Sequence, residues 1–283
     1  MIEVLIGFIA AIFWGIHDFL VRFIVKKVNI ITALTSTNIF GALFLLIFFF
    51  FSTQDISFEK KIIGISIIYG LLFLSATYCL YRAFDLGPVY VAAPIICSYP
   101  ILSLLYATIL SNFPAFHQWI LSIFVILGIF LTVYSKAENQ KSSRLKISET
   151  IFWSIGSAIF FSLSFQLGQN QSVNSFEVLS NLLARISVIL VLGTLFFNKI
   201  IFKSLKLNYI LILILMGIAD TLALLMMVYS GNFDKPEFSS VSASTFGLIT
   251  ILLVCSFFKE KLNGIQIFGI ILVFCSIATL SFE

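Results

Sequence analysis

Charged and amide side chains interrupt otherwise apolar runs at four places, and each place suggests chemistry inside a membrane. An ionisable group in hydrocarbon is costly unless it is paired or wetted, so it marks either a transport path or a locked pair. Asp220, beside Gly217 and Thr221, has apolar flanks on both sides and is the deepest acid in the chain. A lone carboxylate there must hold a proton, contact a substrate amine, or face a cation such as Arg185, which follows Asn181 by one helical turn. Near the start, Gly7, Ala11, Trp14 and Asp18 recur at spacings of four and three with His17 alongside. That spacing gives one helix face, small and then polar, fit to line a tapered cavity. The plainer alternative puts His17, Asp18 and Arg22 at a helix end, with Asp18 and Arg22 as an i,i+4 pair.

Ser75, Tyr78, Arg82 and Asp85 share a second face, just ahead of Gly87-Pro88, which must end or break the helix. Arg82 there suits bidentate capture of a carboxylate or phosphate, or else an interfacial pair with Asp85 beside the belt aromatics Tyr78 and Tyr81. Gln166, Gln169 and Asn170 add neutral amides that could read polar groups of a substrate or bond across helices. Pro94 and Pro100, with Tyr99 between them, match the hydroxyl run Ser239, Ser240, Ser242, Ser244 and Thr245 in the second half. Both sets weaken helices, which makes Pro94, Pro100, Ser242 and Thr245 gating candidates. The substrate-binding candidates are Trp14, His17, Asp18, Tyr78, Arg82, Tyr99, Gln166, Arg185 and Asp220.

The elements that position these groups are apolar runs at about 4–24, 31–51, 62–84, 89–111, 117–136, 150–169, 177–197, 208–229, 239–258 and 263–281. Each approaches the roughly 20 residues that a helix needs to cross about 30 Å of hydrocarbon. Hydrophobic residues make up 60% of the chain and charged residues 11%, with mean hydropathy +1.10, which excludes an ordinary soluble domain. Long continuous runs rather than period-two alternation exclude a barrel, so the fold class is all-α, a polytopic membrane protein of ten transmembrane helices. No basic segment precedes the first run and no small-residue cleavage site breaks it, so the first span is expected to be retained. Cys79, Cys97, Cys255 and Cys275 each fall inside a span without metal-ligand or CxxC spacing, so no disulfide and no metal site is expected. Neither a phosphate loop nor a hydrolase motif is present, and no cofactor is expected.

The chain repeats itself. Ala11-Ile12-Phe13 returns 147 residues later as Ala158-Ile159-Phe160, and Gln118 returns 148 residues later as Gln266. Residues 1–136 and 150–283 are therefore read as two five-helix units joined by a cytoplasmic linker at 137–149. An odd number of spans per unit inserts the second unit upside down, giving an inverted repeat. Loops after odd-numbered spans carry Lys26, Lys27, Lys136, Lys141, Arg144, Lys146, Lys199, Lys203, Lys206, Lys259 and Lys261, against Lys60, Lys61 and Lys235 elsewhere. The positive-inside rule makes the first group cytoplasmic and puts both termini outside. The net charge of +4 then belongs to loops facing anionic lipid, and no nucleic-acid partner is expected.

With this plan on the page, the chain resembles the EamA-type permeases of the drug/metabolite transporter superfamily. The resemblance spans essentially all 283 residues and rests on Trp14-Gly15, the run Tyr81 to Ile95 (YRAFDLGPVYVAAPI) and the run Phe257 to Phe274 (FFKEKLNGIQIFGIILVF). Glu260 matches the acid that closes the ninth helix and Gly269 the glycine of the tenth, whereas Asn112 stands where a Glu is common. The resemblance implies a secondary carrier of a bacterial inner membrane, not an enzyme, with a central cavity lined by helices one to four and six to nine. Its expected partners are the lipid bilayer, a small polar or zwitterionic substrate such as an amino acid, and a coupling proton or cation. Export of lipophilic compounds and a non-transporting sensor or assembly role are the alternatives.

Overall fold

The computed structural model describes residues 2–51, 60–102, 105, 116–134, 141–172, 177–200, 202, 205–233, 236–259 and 262–281. Ser111, Asn112, Phe113, Lys136, Lys203, Lys235, Glu260 and Lys261 lie outside the described residues. Among the described residues the regular elements are helices only: α1 (Ile2–Ile24), α2 (Ile30–Phe51), α3 (Lys60–Leu86), α4 (Val89–Ile96), α5 (Phe116–Tyr134), α6 (Lys141–Ser172), α7 (Glu177–Leu195), α8 (Leu207–Tyr229), α9 (Pro236–Ala243), α10 (Phe246–Phe258) and α11 (Gly264–Ser281). Two single 3-10 turns follow α7 and α8. Seven helices among the described residues are long and apolar enough to span a membrane, counting Pro236–Phe258 as one. Val89–Leu102, Trp119–Leu131 and Gly264–Thr279 are shorter apolar helices. The protein is thus a multi-pass α-helical membrane protein. Residues 141–149, read above as linker, already belong to α6, because nothing in their sequence stops a helix that continues past the apolar zone.

Two of the predicted spans are broken, and at matching places. Between α4 and Tyr99 the chain turns at Cys97-Ser98, and between α9 and α10 it turns at Ser244-Thr245, 147 residues later, the offset already seen in the sequence. The causes differ. Pro94 and Pro100 have no backbone N–H to extend the first helix. In the second, the hydroxyls of Ser242, Ser244 and Thr245 bond to the carbonyls of Phe238, Val241 and Ser242 at 2.9, 2.6 and 2.7 Å, competing for helical acceptors.

The packing partners come in exchangeable pairs. α3 lies along α6 as α1 lies along α8, α3 meets α7 as α2 meets α8, and α4 meets α6 as α9 and α10 meet α1. α2 with α7, α4 with α10 and α5 with α11 complete the set. Small residues permit these approaches: a Cβ on Gly70 would fall 2.7 Å from the Ala184 backbone, and one on Gly217 would fall 2.8 Å from the Thr37 carbonyl. A Cβ on Gly128 would fall 2.7 Å from the Gly269 carbonyl, so Gly128 permits the close α5–α11 approach. Backbones this close gain dispersion contacts that lipid cannot replace. Large apolar groups such as Phe8, Leu43, Ile47 and Phe124 are left exposed on the outside, as a lipid-facing surface requires.

These contacts give a stability prediction. Gly70→Val and Gly217→Val should each destabilise the protein by at least the roughly 1–3 kcal/mol typical of overpacking, because the obstacle is backbone. Gly64→Ala and Gly193→Ala, with nothing within 4 Å of the added methyl, should be neutral or slightly stabilising. Melting temperatures of the four purified variants check the contrast.

Candidate functional site

The centre of the bundle holds two carboxylates with different surroundings. Asp220 on α8 is fully occupied: Arg185 of α7 donates through Nη2 to its Oδ2 at 2.8 Å, and Trp14 of α1 donates through Nε1 to its Oδ1 at 3.2 Å. The side chains of Arg185 and Asp220 are only 2% and 4% exposed, so the pair is desolvated. Arg185 Nη1 reaches Asn38 Oδ1 of α2 at 3.5 Å, and its Nε has no hydrogen-bond partner. One turn earlier on α7, Asn181 accepts a bond from the Tyr69 hydroxyl of α3 at 2.6 Å and returns its amide to the Glu177 carbonyl at 2.8 Å.

Asp18, one turn after Trp14 on α1, is half occupied. Its Oδ1 lies 2.9 Å from His17 Nδ1, while its Oδ2 is buried without a partner. Nδ1 is placed to donate to the carboxylate, and Nε2 lies 3.2 Å from the Tyr81 hydroxyl of α3. Thr37 of α2 is a further hydrogen-bond partner of Tyr81. Arg185 thus pairs with Asp220, and the basic group bonded to Asp18 is His17. Trp14, His17, Asp18, Thr77, Phe161, Phe165 and Asp220 line a void here with about 10 Å³ for the centre of a water molecule, about enough for one.

α1 reaches this point because its small face is buried rather than open. A Cβ on Gly7 would fall 2.2 Å from the Ser239 carbonyl of α9, and one on Gly15 would fall 2.6 Å from Ile249 of α10. The tapered cavity expected along that face is closed in this conformation, and only its Trp14–Asp18 end keeps a void. Arg22 donates to the Phe84 and Gly87 carbonyls at 2.5 and 3.2 Å, covering the carbonyl end of α3 where Pro88 stops it.

Tyr78 and Arg82 lie apart from the centre. With Asp85, Asn29 and Lys199 they line a wider cavity of about 330 Å³ at the α1–α2 turn and the end of α3. Arg82 stands over the Trp153 ring at 5.8 Å and 3.6 Å from Asp85, and Lys26 binds Asp85 at 3.0 Å. Arg82 is therefore both paired and open to the cavity.

The opposite end is closed by amide and hydroxyl groups. Gln169 Nε2 has Ser230 Oγ at 3.1 Å, the Pro236 carbonyl at 3.1 Å, Ser240 Oγ at 3.0 Å and Ser239 Oγ at 3.4 Å. An amide has two protons for these four acceptors, so the knot can re-pair without losing bonds. Tyr99 of the broken fourth helix donates to the Ser240 carbonyl at 2.5 Å, tying the two broken helices together. Gln166 sits half-buried one turn earlier on α6 and does not line the central void. Asn38, Tyr69 and Tyr81 complete the centre although sequence reasoning did not select them. Asn38 was findable as the only amide in the second span, but the tyrosines look like packing aromatics.

A polar centre at the crossing of opposed helix pairs, inside an apolar bundle, defines a solute-handling membrane protein. The profile of the EamA-like transporter family matches residues 1–134 and again 148–282, so the chain belongs to that family, within the drug/metabolite transporter superfamily, whose members are membrane transporters rather than enzymes. No curated protein matches the chain. A solved crystal structure superposes with a TM-score of 0.70 over 99% of this chain and 96% of its own, at 16% identity, which shows a shared fold.

Removing one partner of a buried ion pair strands the other charge. Arg185→Ala and Asp220→Ala should each cost about 3–5 kcal/mol, while the paired replacement Arg185→Met with Asp220→Leu should recover most of that loss. Thermal melting of the three variants checks it, and a double variant no better than the singles would show that the pair is not the source of the cost.

Proposed function

We propose that this transporter is a secondary carrier of a small polar or zwitterionic metabolite, amino acids being the first class to test, working by alternating access between two inverted five-helix halves at residues 1–136 and 150–283. The observation that carries this reading is the unpartnered Asp18 oxygen at the closed void between the halves. Buried carboxylate oxygens are costly to leave unbonded, so such a vacancy is a place for a ligand. The exchangeable packing pairs and the matched helix breaks support the inverted repeat and make α4 and α9 the moving segments. The Tyr78–Arg82 cavity lies at the lysine-rich ends and is read as the cytoplasmic vestibule, and the Gln169 knot as the outer seal. On that reading the conformation is closed outside and partly open inside. The host membrane is a bacterial cytoplasmic membrane, with both termini outside.

In proteoliposomes, counterflow of a radiolabelled amino-acid mixture should be saturable and should fall more than about tenfold in Asp18→Asn. Absence of counterflow for amino acids, organic acids and nucleosides alike would overturn the carrier reading. In a variant lacking the native cysteines, Lys26→Cys should react with an impermeant maleimide from the cytoplasmic side only and Lys60→Cys from the outer side only, and the reverse pattern would invert the topology.

A further inference from the structure

We infer that the central void is an ammonium subsite, in which Asp18 Oδ2 takes the charge of an organic amine and the rings of Trp14, Phe161, Phe165 and Phe246 form its walls. The inference rests on the carrier reading for its biological role, but the binding chemistry stands on the geometry. Three features select a cation. The first is the set of partners: each oxygen of Asp220 has a donor, from Arg185 or Trp14, whereas Asp18 has His17 on one oxygen and no donor on the other. Arg185 is not among the residues lining the void, so it offers no anion site there.

The second is the wall. Trp14 stacks on Phe165 with ring centroids 5.1 Å apart and meets Phe246 edge-on at 5.9 Å, and Phe161 stacks on Phe165 at 5.3 Å. Rings from four aromatic residues line the void beside Asp18 and Asp220, and an aromatic lining draws a positive charge through its ring quadrupoles. A proton alone would need no such cage. The third is the scarcity of competing polarity: Thr77 is the one neutral hydroxyl lining the void, and its Oγ1 is already committed to the Phe73 and Leu74 carbonyls at 2.9 and 3.1 Å. A neutral polar solute would find few partners there, and a carboxylate would face two carboxylates. A void the size of one water must widen to admit an alkylammonium group, and Phe246, the first residue of α10 after the Ser244-Thr245 break, is the wall residue next to the α9 segment proposed to move.

The test uses three matched probes on the purified full-length protein: phenethylamine, which is cationic, phenethyl alcohol, its neutral counterpart, and phenylacetate, an anion. Calorimetric titration should show the amine binding on the order of tenfold tighter than the alcohol, as expected for a desolvated cation with a carboxylate and ring faces. That advantage should vanish in Asp18→Asn, weaken in Phe165→Leu and persist in Arg82→Gln. Where Asp18→Asn fails to fold, the Phe165→Leu and Arg82→Gln comparison decides. Equal binding of amine and alcohol, tightest binding of phenylacetate, survival of the amine's advantage in Asp18→Asn, its retention in Phe165→Leu, or no binding of the amine at millimolar concentration would each overturn the inference. Amine binding without exchange in proteoliposomes would overturn the carrier reading alone. Exchange of other solutes without amine binding would overturn the subsite alone.

Discussion

The Arg185–Asp220 ion pair is the interaction around which the centre is organised. Placing two charges in a bundle surrounded by hydrocarbon is costly unless they find partners, and that demand recruits neighbours from other helices, with Arg185 Nε left without one. Trp14 arrives from α1 to fill the second oxygen of Asp220, and Asn38 from α2 approaches the guanidinium. Helices from both halves of the chain thereby meet at one point. Asp220 has a donor on each oxygen, whereas Asp18 keeps one oxygen without a donor, and the two acids differ in that respect.

The same constraint explains where the backbone is allowed to break. In lipid a helix cannot surrender hydrogen bonds, so irregular backbone must lie against protein. Both breaks satisfy this: Cys97 is buried, with a Cβ on Gly247 falling 2.4 Å from its sulfur, and Ser244 is buried with its hydroxyl on its own helix. A proline pair produces one break and a serine run the other, yet they fall 147 residues apart. Selection by position rather than by residue type is what a pair of hinges at one pseudo-axis would require. The Gln169 knot offers four acceptors for two protons, so its members can trade partners without losing bonds.

Much of the fold was legible in the sequence, and the reasons are local. Span existence follows from apolar length, and the repeat from short matches at nearly equal offsets of 147 and 148. Of the candidate site, Trp14, His17, Asp18, Arg185 and Asp220 were identifiable because charge or a polar tip inside an apolar run is conspicuous in one dimension, and these five do lie together. Tyr78 and Arg82 were equally conspicuous but belong to a separate cavity, because the end of α3 leaves the centre behind. Tyr69 escaped notice and Tyr81 was read as a belt aromatic, because a tyrosine buried for its hydroxyl and one buried for its ring have the same sequence context.

The sequence by itself determined that this chain is helical, lives in a membrane and is built as a duplicated plan, since each property depends on composition and spacing along the chain. It also narrowed the charged pairs to a few options. Only the tertiary structure decided which acid received Arg185 and which kept a free oxygen, because the deciding contacts join residues on different helices, 35 positions apart for Arg185–Asp220 and 206 for Trp14–Asp220. It also decided that the small face of α1 is a packed seam against α9 and α10. Hydropathy is a property of a segment, whereas the partner of a buried charge is a property of the fold.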